Sequence, residues 1–465
     1  MPRSKLLKDS LLEDLLYLLP LSAFFLFFRL GNGSLASWDE ALYAAVAKEV
    51  FESGRWLHFT FGGSLWFDKP PLCIWATVLF YKLFGVGEFA ARLFSALTGF
   101  GTVALTYFLG RRMFNRWTGF LGALVLLSSS HFLHFARFGM MDVPLTFFLS
   151  LAFYFFWLGR EKDVYLIGSG VAIGLAMLTK SFAALLFFPI VWIYCLWCQE
   201  LEILKRPSYW IGVGLAAALV LPWNLYEFFR HREAFMNDAL VKHLLTRVFT
   251  VLEGHEGNWY FYIRTLVNKY HPWVIVGIVS APYFLYRAIR DGFQEYVLLT
   301  VWMFFIFFVI TWTQTKLQWY IFPVYPALSL SVGSVLGSVF KDNQKNFIRL
   351  TFLIIMVLHV PYSHIFNHDY SRDIKGLTQA VLKEVPAGES VTLYNYHESP
   401  AVMFYWGRRT LYLDDPQSFL AQAKSETPFY GVIHKRDLDP LREKLLKLGF
   451  SVKASFENLE LVTKT

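Results

Sequence analysis

The sequence predicts a mainly α-helical protein. It reads as a polytopic transmembrane bundle of about eleven spans with external interfacial helices and a small C-terminal α/β domain. Three observations carry this. Of the 465 residues, 55% are hydrophobic and only 17% charged, against about 25% charged in an ordinary soluble domain. Apolar runs of spanning length alternate with short basic clusters. After about residue 363 the composition turns to that of a soluble domain. The 48 Phe, 24 Tyr and 16 Trp exceed what one soluble core buries, which excludes a soluble enzyme, a disordered chain and a disulfide scaffold. The net charge of +8 is what a positive-inside membrane protein carries, and no nucleic-acid partner is implied. Cys195 and Cys198 form a C-x-x-C inside the apolar run VWIYCLWC, where helix packing explains them better than redox chemistry.

Arg3, Lys5 and Lys8 precede the first apolar run, Leu15 to Phe28. No small-residue cleavage site follows at once, so it reads as a retained span. Further runs occupy approximately 93–109, 117–136, 143–158, 164–179, 181–198, 209–226, 272–286, 294–314, 317–339 and 347–363. The segment Pro71–Phe84 is shorter, about fourteen residues, a length typical of interfacial or re-entrant pieces. If it does not cross, the clusters Arg111/Arg112/Arg116, Arg160/Lys162, Lys205/Arg206, Arg287/Arg290 and Lys341/Lys345/Arg349 all share the side of the N-terminus. If it crosses, every one of them lies outside. The expectation is therefore a cytoplasmic N-terminus and an external loop 31–92. Also outside are the Arg137–Asp142 turn, Lys180, a large loop 229–271, Gln314–Lys316 and a soluble domain 364–465. In that tail DIKGLTQAVLKEVP and LREKLLKLGF read as helices, and SVTLYNY, TLYLD and FYGVIHK as strands.

The predicted membrane interiors are almost free of Asp, Glu, Lys and Arg, whereas pumps and transporters keep ionisable groups near the midplane. Here the acids and bases gather at the outer rim. That favours chemistry at the membrane face over a transporter or flippase.

Each rim group has a structural explanation as well as a functional one. In SWDEALYAAVAKEVFESGRW, Ser37 and Glu40 fit a capping box. Asp39 and Glu40 would suit the positive end of a helix, or Asp39 would project into a cavity as a carboxylate base. In LWFDKPPL two prolines fix a corner at Asp68 and Lys69. Lys69 either snorkels at the interface or holds a phosphate. Asp142 starts a span, where an acid also suits the helix dipole. Lys316 and Tyr320 are four apart and face one way, as in an interfacial belt. The loop 229–271 carries His243, Arg247, His255 and Glu256, without an HExxH or regular metal spacing.

The series Trp38-Asp39-Glu40, Tyr43, Asp68-Lys69-Pro70-Pro71-Leu72, Gly85, Glu88 and Arg92-Leu93-Phe94-Ser95-Ala96-Leu97 is similar to the first external loop of C-type-fold membrane glycosyltransferases. Its order resembles the aminoarabinose transferases that modify lipid A and, more distantly, the protein O-mannosyltransferases. Asp142 with Leu145, and Lys316-Leu317 with Tyr320, Pro323 and Pro326, extend the likeness. The resemblance implies an enzyme of the inner membrane. It would transfer a sugar from a polyprenyl-phosphate donor to lipid A or lipopolysaccharide core at the periplasmic face, or to protein hydroxyls in the alternative. It makes Asp39 the catalytic or acceptor-orienting carboxylate, Lys69 the donor-phosphate ligand, and Arg247 and Tyr320 its helpers. Asp68, with His243 or His255, would be the candidates for a divalent metal. Glu40 and Tyr43 are candidates for substrate contact. The chemistry fits the residues independently. A departing lipid phosphate needs cations, for which Lys69, Arg247 and Lys316 are at hand, and the acceptor hydroxyl needs a base. Asp39 and Asp142 are the candidates for that base and for steadying an oxocarbenium-like transition state.

Overall fold

The computed structural model describes residues 3–237, 250–251, 254–339, 366 and 368–464. The chain divides into two compact units. One comprises Met1–Leu30, Phe67–Phe80 and Arg92–Phe366, and the other Gly31–Trp66, Tyr81–Ala91 and Asn367–Thr465.

The first unit is helical. Among the described residues six stretches are long and apolar enough to cross a membrane: Glu88–Met113 (α4), Asp142–Gly159 (α7), Val164–Trp197, Pro207–Phe235 (α11), Gln294–Trp312 (α14) and Gln318–Val339. A bent pair, Arg116–Ser128 (α5) with Ser130–Ala136 (α6), makes a seventh candidate. The chain is thus a multi-pass membrane protein. The other expected spans distribute as follows. The run 15–28 forms the second half of α1 (Arg3–Phe27), whose first half is charged. The run 272–286 lies on α13 (Val274–Asp291), which ends in Arg287, Arg290 and Asp291. The run 347–363 lies outside the described residues.

Two departures from straight spans have local causes. The expected span 117–136 bends by 70° at Ser129, which is extended (φ −67°, ψ 113°). Its neighbours supply the alternative bonds: Ser128 Oγ accepts from Trp273 Nε1 at 2.8 Å, and Ser130 Oγ donates to Lys269 O at 3.1 Å. Serine pairs that divert hydroxyl bonds are a regular source of kinks. The stretch Val164–Trp197 is interrupted at Lys180–Ser181, where Ser181 takes φ 14°, ψ −97°. Here α8 (Val164–Lys180) gives way to a 3-10 turn, Ser181–Leu186, and then α9 (Phe187–Trp197). Arg160, just before α8, binds Glu200, just after α9, through Nε–Oε2 at 3.0 Å and Nη2–Oε1 at 3.1 Å. The chain therefore doubles back at Lys180, as the two runs flanking it predict.

Small residues let these helices approach. A Cβ on Gly170 of α8 would lie 2.1 Å from the Gly212 backbone of α11, and one on Gly174 3.0 Å from Ala216. Paired small-xxx-small stripes are how membrane helices pack when burial in lipid gives no drive.

Of the basic clusters that the positive-inside argument groups together, those at Arg111/Arg112/Arg116, Arg160/Lys162 and Lys205/Arg206 meet at one end of this unit, and Lys341/Lys345/Arg349 lie outside the described residues. Arg112 pairs with Glu161, Arg206 Nη1 with Asp163 at 2.9 Å, Gln294 Nε2 with Glu200 at 2.5 Å, and Arg116 Nη2 with Asp14 at 2.7 Å. Asp142 and Lys180 lie at the other end of α7 and α8, about 27 Å away along an 18-residue helix. Helix α3 (Leu72–Phe84) has 13 residues, roughly 20 Å, too short to cross.

The second unit joins the loop region to the tail. Its sheet has order β6-β5-β7-β9-β8: Arg409–Leu413 (β6) and Phe429–His434 (β7) run parallel to Ser390–Tyr394 (β5), and Leu459–Lys464 (β9) and Ser451–Phe456 (β8) are antiparallel. The strands read from sequence are β5, β6 and β7. A parallel two-residue ladder, Gly33–Ser34 (β1) with His368–Asp369 (β4), ties the loop to the tail. The hairpin Phe59–Phe61 (β2) and Ser64–Trp66 (β3) packs on helix α2 (Asp39–Ser53).

Candidate active site

In the first unit the polar rim converges from several elements. Asp142 opens α7 and is only 3% exposed. Its Oδ1 receives Lys180 Nζ at 2.6 Å from the end of α8. The same ammonium lies 4.6 Å from the centre of the Tyr320 ring, on the 3-10 turn Gln318–Val324. Buried Tyr262, on helix α12 (Phe261–Lys269), senses Tyr320 and Asp142. Burial first, then those charges, pushes its phenol up. The result is a carboxylate, an ammonium and two phenols at the membrane rim, walled by apolar helices.

The DKPP corner is fixed on both sides. Phe67, before Asp68, packs at a tilt on His231 with ring centres 5.2 Å apart and edge-on at 5.7 Å on Phe235 of α11. Beyond the prolines, the Cys73 thiol is pushed well up by burial and by the Asp142 carboxylate beside it. Lys69 sits four residues before Cys73, within about 14 Å of it even if the chain is fully extended. The corner is thereby held at the Asp142–Lys180 end.

Lys316 is 6% exposed, and its Nζ donates to Thr311 O at 2.7 Å and Thr313 O at 2.6 Å. It therefore closes the C-terminus of α14, whose last carbonyls lack helical partners. Burial lowers its pKa. Its ammonium lies 6.0 Å from the centre of the Tyr262 ring. Its backbone N–H binds His255 O at 2.9 Å, which brings the loop after residue 254 to this rim. Arg247 and His243 lie outside the described residues. Among the described residues no three His, Cys, Asp or Glu side chains gather to hold a metal, so Asp68 and His255 are not assembled into such a set.

The second unit holds Asp39, Glu40 and Tyr43, all on α2. Glu40 is 1% exposed, and its Oε2 accepts the Ala36 N–H at 2.7 Å. The expected Ser37–Glu40 capping box is replaced by other bonds, since Glu40 accepts from Ala36 and not from Ser37. Trp38 is the N-cap residue, and Ser37 Oγ bonds Ser399 Oγ at 2.8 Å instead of its own helix. Tyr43 is buried against Trp66 at 6.2 Å. Asp39 is different. It is partly exposed, and its carboxylate makes no hydrogen bond or ion pair among the described residues.

Sequence reasoning places Lys180 at the outer rim without giving it a role, although a lysine between two apolar runs is the signal that marks it. It also ends the fifth-to-last span at residue 226, whereas α11 continues to Phe235 and buries Glu227 fully, 3.5 Å from His231. A polar cavity of about 420 Å³ lies at the opposite end, among Arg160, Glu200 and Arg206. Its charges are satisfied by one another, so it is no competitor.

The profile of the dolichyl-phosphate-mannose-protein mannosyltransferase family matches residues 68–226, which hold Lys69, Asp142 and Lys180. An uncharacterised protein of Aquifex aeolicus is 30% identical over 74% of this chain and 68% of its own length. An undecaprenyl phosphate-α-4-amino-4-deoxy-L-arabinose arabinosyl transferase of Pseudomonas fluorescens is 27% identical over 72% of this chain, which spans 60% of that relative's length. The crystal structure of ArnT from Cupriavidus metallidurans bound to undecaprenyl phosphate superposes with a TM-score of 0.78 at 19% identity, covering 97% of both chains. The fold is therefore shared along the whole length.

Proposed function

The chain belongs to the C-type-fold membrane glycosyltransferases, the superfamily of the aminoarabinose and protein O-mannosyltransferases, and we propose that it transfers a sugar from undecaprenyl phosphate to lipid A or lipopolysaccharide core. The observation that carries this is the rim constellation Asp142–Lys180–Tyr320 beside the pinned Lys69 corner. An ammonium and a phenol at the rim of apolar helices are the groups a lipid phosphate calls for, and this supports the reading.

In the reaction the C1–O bond to the donor phosphate breaks and its electron pair leaves with the phosphate. The acceptor oxygen attacks C1 from the opposite face, and its proton passes to a carboxylate. Lys69 and Arg247 neutralise the departing phosphate, helped by the Tyr320 hydroxyl and the nearby Lys316 charge. Asp39 is the base, since its carboxylate is partly exposed and makes no hydrogen bond or ion pair among the described residues. Where the acceptor is already an ionised phosphate, Asp39 orients it. Asp142 is committed to Lys180 and acts by holding that ammonium and the Tyr320 ring in place. Glu40 shapes the start of the helix that presents Asp39, and Tyr43 anchors that helix on Trp66. Asp68 and His255 are not gathered into a metal-binding set among the described residues, and no step above is routed through a metal.

The active rim faces the periplasm of the inner membrane, with the N-terminus and the clustered arginines in the cytoplasm. Transfer to protein hydroxyls is the second reading, favoured by the family profile over residues 68–226. Mass spectrometry of lipid A, core oligosaccharide and periplasmic proteins, from cells with and without the active chain, tests both. A sugar-sized mass shift confined to lipid A or core is the expected result. A shift confined to proteins selects the second reading, and no shift in any fraction refutes transfer.

A further inference from the structure

The second unit contains a cavity of about 600 Å³ between the turn of the β2–β3 hairpin, the start of the helix Pro400–Trp406 and the edge strand β6. Its size is that of a small-molecule site. The lining is polar of both kinds: Glu398 accepts, Arg409 donates, and Ser64, Thr410 and Tyr412 do either. Among the described residues the Glu398 and Arg409 side chains make no hydrogen bond or ion pair. A carboxylate and a guanidinium facing one cavity, both uncommitted, are left for something else to bind.

The walls are built, and one helix builds them. On α2, Glu49 holds the hairpin through Thr60 Oγ1 at 2.5 Å and the Gly62 N–H at 2.6 Å. Its neighbour Lys48 holds the opposite wall through Phe404 O at 2.8 Å. The third tie is Ser399, which lines the cavity and bonds Ser37 Oγ. Ser37 is two residues before Asp39, so their Cα atoms are within about 7 Å. The helix that carries the uncommitted carboxylate thus also fixes both sides of the cavity and is tied to its floor.

We infer that this cavity binds the saccharide head of the acceptor, a polyhydroxylated ring system whose hydroxyls both donate and accept. Arg409 grips vicinal oxygens or an anionic substituent in its planar fork, and Glu398 takes hydroxyl or amino protons from the other side. Phe61, Pro400 and Met403 give the cavity an apolar side on which a sugar ring can lie, and its mixture of donors and acceptors suits hydroxyls better than a phosphate alone. The inference rests on the transferase reading for calling the ligand an acceptor, though not for the binding itself.

The test uses the full chain purified in detergent, with deacylated lipopolysaccharide core oligosaccharide as probe. Titration calorimetry should show binding by the wild type. Glu398→Ala and Arg409→Ala, both at exposed positions, should each weaken it about tenfold, the scale of one charged hydrogen bond. In the transfer assay the acceptor KM should rise correspondingly, with kcat and undecaprenyl phosphate affinity unchanged. Wild-type transfer with the same acceptor KM in the double variant overturns the cavity assignment and leaves the transferase standing. Oligosaccharide binding that the variants lose, in a chain that transfers no sugar, overturns the transferase reading and leaves the cavity. No binding by the wild type also overturns the assignment.

Discussion

Asp39 and Glu40 are adjacent acids on one helix, and the structure assigns them opposite consequences when removed. Asp39→Asn keeps the shape of a side chain that makes no bond among the described residues. Its only structural contribution is a charge at the N-terminus of α2, worth about 0.3–1 kcal/mol. As the base that accepts the acceptor proton, it contributes to the barrier instead. Its loss should slow transfer by roughly 10²–10⁴, or about 3–5 kcal/mol. Glu40→Ala removes a buried carboxylate bonded to the Ala36 N–H at 2.7 Å. A charged hydrogen bond of that kind is worth about 1.5–3 kcal/mol of stability. Single-turnover transfer, undecaprenyl phosphate binding and thermal unfolding should be measured on both variants in the same detergent. The expected pattern is a slow, stable, donor-binding Asp39→Asn, and a destabilised Glu40→Ala whose folded fraction still turns over. Near wild-type transfer by Asp39→Asn would refute the reasoning and leave Asp39 as a helix-end charge.

Lys69→Ala should weaken undecaprenyl phosphate binding at least tenfold while unfolding at nearly the wild-type temperature, read by ligand-induced thermal shift. Unchanged donor affinity removes Lys69 from the phosphate site. Lys180→Met removes the ammonium bonded to Asp142 at 2.6 Å and should cost about 1.5–3 kcal/mol, the scale of one charged hydrogen bond, while Asp142→Asn/Lys180→Met should recover part of the loss. Equal unfolding of the single and double variants contradicts the pair as drawn. Gly170→Val puts a side chain where Gly212 backbone already lies, 2.1 Å from the new Cβ, so the variant should fail to accumulate in the membrane. Single cysteines at Gly87 and Ser425 should react with an impermeant maleimide from the periplasmic side. Protection of both in outer-permeabilised cells would invert the topology.

How much of this was legible in the sequence depends on the kind of signal. The two runs flanking Lys180 were readable because one charge in an apolar stretch has few places to go but a rim. The basic clusters were readable as one group, and Arg160, Arg206 and Arg116 do meet at one end. The strands 390–394, 409–413 and 429–434 showed as dense β-branched and aromatic runs. Their neighbours 451–456 and 459–464 did not, because SVKASF is a half-solvated edge strand whose polar residues hide the alternation. The helix Pro400–Trp406, of 7 residues, is too short to show a period. The bend at Ser129 was invisible because its cause lies in Trp273 and Lys269, more than a hundred residues away. The same holds for the replaced capping box, since nothing near Ser37 announces Ser399. For the candidate site, residue types and rim position could be read, and Asp39 and Lys69 are accessible to that logic. Which acid is free and which is tied, Asp39 or Asp142, could not be read, because that depends on partners contributed by other helices.

The ladder between Gly33–Ser34 and His368–Asp369 sets an order of events during synthesis. Leu35 donates its N–H to the Tyr405 hydroxyl at 2.9 Å, a partner 370 residues later. At about 5–20 residues per second the ribosome takes roughly 20–70 s to supply it. Through that interval the helix bearing Asp39 has emerged without Phe404 for Lys48, Ser399 for Ser37, or Lys375 and Tyr405 for Glu88. The contacts that brace α2 therefore form only after the segment from Lys375 to Tyr405 has been made.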